Sequence, residues 1–87
     1  MKELSYVVEW TIVDFIYFSA TRGYVLVLVS GKIKMLAEVY CEHRIQKGDT
    51  LYPVRNAEYL VNKHPGQKAK ILSAQAYCKD NWESIQR

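Results

Sequence analysis

The sequence predicts an all-β domain of mainly antiparallel strands, arranged as a small barrel or sandwich of five or six strands. Three observations carry this prediction: apolar and polar residues alternate along the first segment, a strongly apolar hairpin follows it, and turns separate the remaining apolar runs. The chain has 87 residues, which suits one domain, so residues 1–87 are taken as a single β-rich unit.

The first segment, Leu4 to Phe18, has the pattern of one long strand. Its even-numbered positions are apolar except for Asp14, and the later half is apolar on both faces. A strand of this length has to bend, as the strands of a small closed barrel do. Two interpretations of Asp14 are open: a buried, paired carboxylate of the functional kind, or a bend or bulge that turns it outward. We prefer the bulge.

The central hairpin is the clearest local feature. The sequence Thr-Arg-Gly at 21–23 predicts a turn in which Gly23 adopts a left-handed conformation. The next strand, Tyr24 to Val29, is apolar throughout and is predicted to be buried on both faces. After a turn at Ser-Gly-Lys (30–32), the chain returns as a strand from Ile33 to Cys41.

The second half continues with a polar connection over 42–49 and a short strand, Thr50 to Val54. Pro53 cannot donate a ladder hydrogen bond, so this strand is expected at a sheet edge or at an irregular point. Residues 56–62 fit either a strand or one or two helical turns. Pro65 and Gly66 occupy the central positions of a turn and favour type II.

The chain is predicted to end with a strand from Lys68 to Tyr77 and a short C-terminal helix over 80–87. Asp80 or Asn81 is the expected cap of that helix. Strands in this order, joined mainly by short turns, are typical of OB-like or SH3-like barrels.

Composition and charge limit the function classes. Twelve Lys and Arg against nine Asp and Glu give a net charge of +3, less basic than is usual for a dedicated nucleic-acid binder. The opening residues lack the pattern of a signal peptide, and the first apolar segment alternates and contains Glu9 and Asp14, unlike a membrane span. We therefore expect a cytoplasmic protein, without membrane attachment, whose two cysteines are reduced.

No residue pattern indicates catalysis, a metal or a cofactor. Cys41, His43, His64 and Cys78 are the soft or imidazole ligands, but they lack the spacing of a zinc site. Cys41 and His43 would share a strand face, yet nothing marks a third group that could orient a catalytic pair. The chain is expected to be non-enzymatic, with no catalytic residues, no metal and no cofactor.

Binding surfaces remain. The chain has seven tyrosines, whose rings pack while their hydroxyls stay hydrated. We predict a small regulator, inhibitor or accessory subunit that docks on a larger protein, through a set of rings and basic groups. These candidate partner-binding residues are Tyr17, Arg22, Tyr24, Lys32, Lys34, Arg44 and Lys47.

Two further hypotheses stay open. The same surface residues would suit a single-stranded nucleic acid, with bases on the rings and phosphates on the basic groups. The segment from Ile12 to Phe18 carries more apolar surface than one small domain is expected to cover, so a homodimer is also a hypothesis.

Overall fold

The computed structural model describes residues 8–55 and 57–86, which form a closed barrel of six antiparallel strands and one short helix. The elements are β1 (Trp10–Phe18), β2 (Gly23–Ser30), β3 (Ile33–Cys41), β4 (Thr50–Arg55), β5 (Glu58–Val61), β6 (Lys68–Ala76) and α1 (Lys79–Ile85). Around the barrel the order is β1-β2-β3-β6-β5-β4, with β4 closing on β1. The predicted all-β barrel with a C-terminal helix is confirmed.

β2 is buried on both faces, as its uninterrupted apolar sequence predicts. Its inward side chains belong to the barrel core, and its outward side chains belong to a second apolar cluster under α1. The core includes Ile12, Tyr24, Leu26, Leu28, Val39, Ile45, Leu51 and Val61. The second cluster contains Val25, Val27, Leu36 and Trp82, with Ile16, Tyr77 and Ile85 packed against it. The helix is thus the cover of one outer wall of the barrel.

Three of the strands each contain a β-bulge. In each bulge, one residue has no partner on the neighbouring strand at the point where the register shifts. These residues are Val13 in β1, Val54 in β4 and Leu72 in β6. All three side chains are exposed, by 42%, 50% and 62% respectively. A bulge bends a strand and increases its twist, which helps a small sheet to close on itself.

The bulge at Val13 explains the unusual pattern of the first strand. Before it, Trp10 and Ile12 face the barrel core; after it, Phe15 packs against the same core, so the inward parity changes from even to odd. Asp14 therefore lies on the outer side, with its side chain 38% exposed and 3.6 Å from the amine of Lys47. The preferred interpretation of Asp14, a bulge that turns it outward, is confirmed.

Some predicted boundaries and turns were wrong. Within the described residues the first strand begins at Trp10, because Val8 and Glu9 are not part of a ladder; positions 4–7 lie outside those residues. Arg22, and not Gly23, takes the left-handed conformation, with φ of 56°. A side chain at Gly23 would still be crowded, since its Cβ would lie 3.1 Å from the Thr21 hydroxyl.

The connection between β5 and β6 is a pair of consecutive turns. Asn62 and Lys63 are both left-handed, at φ of 54° and 64°, and the His64 N–H donates to the Val61 carbonyl across them. A second turn centred on Pro65 and Gly66 follows, but Gly66 is not left-handed, so the predicted type II geometry was wrong. The first turn already reverses the chain.

Three ambiguities in the second half are resolved. The segment after Asn56 is a strand, β5, rather than helical turns. Pro53 pairs with Tyr59 of β5 on one side. On its other side, the described ladder between β4 and β1 contains only Thr50 and Leu51 of β4, so Pro53 is at an edge, as predicted. The helix begins at Lys79 after an extended Cys78, so Asp80 lies in its first turn and neither predicted cap was right.

Candidate functional site

A groove lies between the second half of β1 and the chain that connects β3 to β4. Its volume is about 520 Å³, within the range of roughly 300–1,000 Å³ that is usual for binding clefts. Its walls are formed by Phe15, Tyr17, Arg22 and Tyr24 on one side, and by residues 41–46 on the other. Four of the seven predicted binding residues therefore meet here: Tyr17, Arg22, Tyr24 and Arg44.

Tyr24 is the buried support of this groove. Its side chain is only 7% exposed, so the prediction of a surface ring was wrong at this position. The hydroxyl donates to the His43 carbonyl oxygen and accepts from the Ile45 N–H, both at 3.3 Å. A tyrosine at a strand end can be buried or exposed, because its ring is apolar and its hydroxyl is polar. Here the β3–β4 connection covers the ring, and its backbone forms hydrogen bonds with the Tyr24 hydroxyl.

The connection is held firmly enough to fix the position of Arg44. Ile45 is buried in the barrel core, next to the hydrogen bond that its N–H makes with Tyr24. A turn follows in which the Gln46 N–H donates to the Asp49 carboxylate at 2.9 Å. Arg44 itself is exposed between these two anchored points. The main chain is therefore fixed on both sides of Arg44, while its guanidinium is exposed.

Tyr17 and Arg22 form the outer rim of the groove. Tyr17 is 46% exposed, and its ring lies 4.9 Å from that of Tyr24. Arg22 is exposed and strained, because a left-handed conformation costs a residue with a side chain about 1–2 kcal/mol. Among the described residues neither Arg22 nor Arg44 forms an ion pair. The groove therefore combines an aromatic face with two arginines that form no ion pair among the described residues.

A third tyrosine, Tyr40, lies next to Glu42 of this groove. The Tyr40 hydroxyl donates a 2.9 Å hydrogen bond to the Glu42 carboxylate. That bond raises the pKa of the Tyr40 phenol above its usual 10.0, while the positive charge of Arg22 acts in the opposite direction. Glu42 is thus engaged by a phenol and is not part of an ion pair in the described chain.

The other predicted cations lie elsewhere. Lys32 lies in the β2–β3 turn. Lys34 is opposite Val29 at the far end of the hairpin from Gly23, a distance of about 20 Å at roughly 3.3 Å per residue. The Lys34 amine lies 4.2 Å from the centre of the Tyr77 ring. Neither lysine is near the groove. A hairpin places residues that are close in sequence at opposite ends, which sequence proximity alone does not reveal.

Lys47 lies just beyond the groove and pairs with Asp14. With Lys32 and Lys34 at the other end of the hairpin, the five predicted cations do not form one continuous path for a phosphate backbone. Single-stranded nucleic-acid binding stays a prediction, without the geometric support that a continuous path would give.

The other six residues that line the groove were not among the predicted binding residues, and two of them, Phe15 and His43, are instructive. Phe15 has an odd position in a strand whose even positions are the apolar ones, so the sequence pattern does not indicate that it faces the core and the groove. Its ring centre is 5.8 Å from that of Tyr24. The sequence analysis considered the His43 side chain as a metal ligand and as a catalytic partner of Cys41, whereas in the structure its carbonyl oxygen accepts the hydrogen bond from Tyr24. The interruption at Asp14 was the available signal for the change in parity.

The cysteines do not have the properties of a reactive Cys–His pair. Cys41 is buried, and its thiol donates to the Lys68 carbonyl oxygen at 3.5 Å. Burial raises the pKa of the Cys41 thiol above its usual 9.0, the opposite of what a reactive thiolate requires. Cys78 is exposed beside α1. Within the described ranges, no three side chains of His, Cys, Asp or Glu gather as metal ligands.

Part of the apolar surplus on β1 is covered within the chain itself. Ile16 packs under α1, while Val13, Tyr17 and Phe18 remain exposed. The homodimer stays a prediction that would have to use these side chains. None of the described helices is long and apolar enough to cross a membrane.

The closed barrel, its helical cover and a groove lined by rings and arginines define a small binding protein. A comparison with protein families places it more narrowly. The chain belongs to the IraM/PmrD family, whose model matches residues 8–83. This membership confirms the leading prediction of a small binding protein that acts as a regulator.

Two curated relatives are signal transduction proteins named PmrD. The one from Escherichia coli is 36% identical over 77 residues, which cover 86% of this chain and 88% of the relative. The one from Salmonella typhimurium is 33% identical over 81 residues, covering 91% of this chain and 95% of the relative.

Solved structures agree with the barrel. The crystal structure of E. coli PmrD superposes with a TM-score of 0.85 at 35% identity, over 88% of this chain and 93% of that one. The solution structure of PmrD from Klebsiella pneumoniae gives a TM-score of 0.77 at 31% identity, over 91% and 99% of the two chains.

Proposed function

We propose that this chain regulates signalling by docking on a protein partner through the groove between β1 and the β3–β4 connection. The observation that carries the proposal is the convergence of Tyr17, Arg22 and Arg44 around one groove whose wall includes Tyr24. The relatives named as signal transduction proteins support the regulatory part.

The composition of the rim favours a protein partner. Tyrosine and arginine are enriched at the energetic centres of protein interfaces, where a ring supplies area and a guanidinium supplies directed hydrogen bonds. Tyr17 is half exposed, so a partner can bury the rest of its ring. Arg44 has an anchored main chain, so less conformational freedom is lost when its side chain is fixed by a partner.

Site-specific crosslinking tests where the partner sits. A photoreactive phenylalanine analogue replaces Tyr17 in the chain expressed in its native host, and a matched chain carries it at Leu72, which is more exposed and lies outside the groove. We expect one protein to be crosslinked from position 17 and not from position 72. Equal crosslinking from both positions, or crosslinking from 72 alone, would place the docking surface elsewhere.

A charge reversal tests the role of the rim. Arg44→Glu is expected to weaken binding of the crosslinked partner by about 2 kcal/mol, roughly thirtyfold, as for an arginine at the centre of an interface. Lys32→Glu is the matched control, since it makes the same charge change at the other end of the hairpin. Equal losses in both variants would indicate a general charge effect instead.

An oligonucleotide titration addresses the alternative. Binding of single-stranded DNA at low salt that falls steeply with added salt, and is lost in Arg44→Glu, would favour the nucleic-acid hypothesis over the proposed docking on a protein.

A further inference from the structure

The strand that borders the groove has a free edge. β1 pairs with β2 along its length, but in the part of the chain that the structure describes, its ladder with β4 contains only the pairs of Trp10 with Leu51 and Thr11 with Thr50. The next residue, Ile12, is bound by the connection: its N–H donates to the Asp49 carbonyl at 2.8 Å. Its carbonyl accepts from the Gly48 N–H at 2.7 Å. Beyond the bulge, no described strand lies on that side.

The direction of the backbone groups follows from the alternation of an antiparallel strand. Ile12 points away from β2, Val13 is the extra residue, and Asp14 resumes pairing with Val27, so Phe15 and Tyr17 point away from β2. The Phe15 N–H agrees with this assignment, because it donates to the Asp14 carboxylate at 2.9 Å. The carbonyl of Phe15 and both backbone groups of Tyr17 thus face the groove side.

Exposed sheet edges are usually protected by proline, by lysine or by charges that point inward. The edge of β4 has such a residue in Pro53. From Phe15 to Phe18, β1 has aromatic and β-branched side chains, which favour pairing with another strand. Beyond the bulge at Val13, residues 15–18 contain no proline and no charged side chain, and this part of the edge borders the groove.

We propose that an extended, acidic segment of the protein partner adds to this edge as a further β-strand, with hydrogen bonds to Tyr17 and the Phe15 carbonyl. Strand addition of this kind takes affinity from the main chain and specificity from alternate side-chain pockets. This proposal rests on the docking function proposed above and names the chemistry of the docked segment.

Charge decides which occupant fits. Arg22 follows the end of β1 and Arg44 faces it from the connection, and neither has an ion pair among the described residues. Glu42 lines the same groove and keeps its negative charge while its carboxylate accepts the hydrogen bond from Tyr40, so two arginines and one glutamate leave the lining with a net positive charge. A second copy of a chain with a net charge of +3 would bring further positive charge, whereas a segment with Asp or Glu would neutralise the two guanidiniums.

Short synthetic peptides provide the test, with the whole chain observed by amide NMR. The probe alternates Glu and Val; one control carries N-methyl groups on alternate backbone nitrogens, and the other has Lys in place of Glu. We expect the Glu–Val peptide to shift the amide signals of 15–18 and 43–46 and to slow hydrogen exchange at the Tyr17 N–H. Both controls should bind at least tenfold more weakly.

Several outcomes would overturn the proposal. Equal binding of the N-methylated peptide would mean that side chains fill the groove without a backbone ladder. Equal binding of the Lys peptide would remove the charge argument. Protection of the Tyr17 N–H that grows with protein concentration alone would assign the edge to a second copy. Crosslinking from position 17 combined with no peptide binding would leave the docking surface intact and reject strand addition.

Discussion

Trp82 is expected to hold α1 on the barrel almost by itself. The helix has seven residues, too few to be stable in water without packing, and Trp82 is its buried residue, at 6% exposure. Its ring packs in the cluster that covers the outward side chains of β2. Trp82→Ala should therefore release the helix as well as remove the ring.

The magnitude follows from the area involved. A buried tryptophan removes roughly 150–250 Å² from water, or about 4–6 kcal/mol at 25 cal/mol per Å². Correction for a denatured chain that is not fully extended reduces this by roughly 10–40%, to about 2–5 kcal/mol. The loss is comparable with the whole stability of a marginal small domain, about 5 kcal/mol.

Urea denaturation followed by circular dichroism measures this loss of unfolding free energy. The m-value should fall as well, because the native state of the variant already exposes Val25 and Val27. Glu83→Ala is the matched control: Glu83 is exposed and makes a 4.0 Å ion pair with Lys79, worth about 0.5 kcal/mol or less. A loss below about 1 kcal/mol in Trp82→Ala, with slow amide exchange retained in α1, would refute the reasoning.

Two further predictions concern the surroundings of the groove. Arg22→Gly should raise the unfolding free energy by up to about 1 kcal/mol, because glycine relieves the left-handed strain but also makes the unfolded chain more flexible. Arg44→Gly is the control without that strain. A loss of stability in Arg22→Gly would show that the arginine side chain supports the fold. Glu42→Gln should lower the pKa of Tyr40, followed by the ring signals of that residue in NMR, and an unchanged titration would contradict the assigned cause. Since folding raises this pKa, the stability that Tyr40 contributes is present below pH 10.0 and is lost as the pH rises through the folded-state value.

The sequence was sufficient for the elements that depend on local patterns. The hairpin from Tyr24 to Cys41 was placed within a residue or so, because an uninterrupted apolar run and a Gly-containing turn have few alternatives. Asp14 marked the bulge because a carboxylate does not share an apolar face. These signals involve neighbours in sequence, where covalent geometry limits the choices.

The groove depends on contacts between distant parts of the chain. Tyr24 is buried because the connection that contains Ile45 returns over it, and Lys34 lies far from Arg22 because the two residues are near opposite ends of the hairpin. Residue type indicated which side chains were suited to an interface, and the strand register decided which of them meet. The turn at Pro65 shows the same limit, since Asn62 and Lys63 had already reversed the chain.

The three bulges have a consequence for insertions and deletions in this family. Removal of Val13 would leave Ile12, Asp14 and Phe15 in a regular alternation, with each side chain on the face that it occupies now. The same holds for Leu72, because Ile71 and Ala74 would keep their places relative to the core. A one-residue change of length at these points therefore alters the curvature of a strand without exchanging its two faces. Inside a strand and away from its bulge, the same change would move the side chains on one side of it to the opposite face of the sheet.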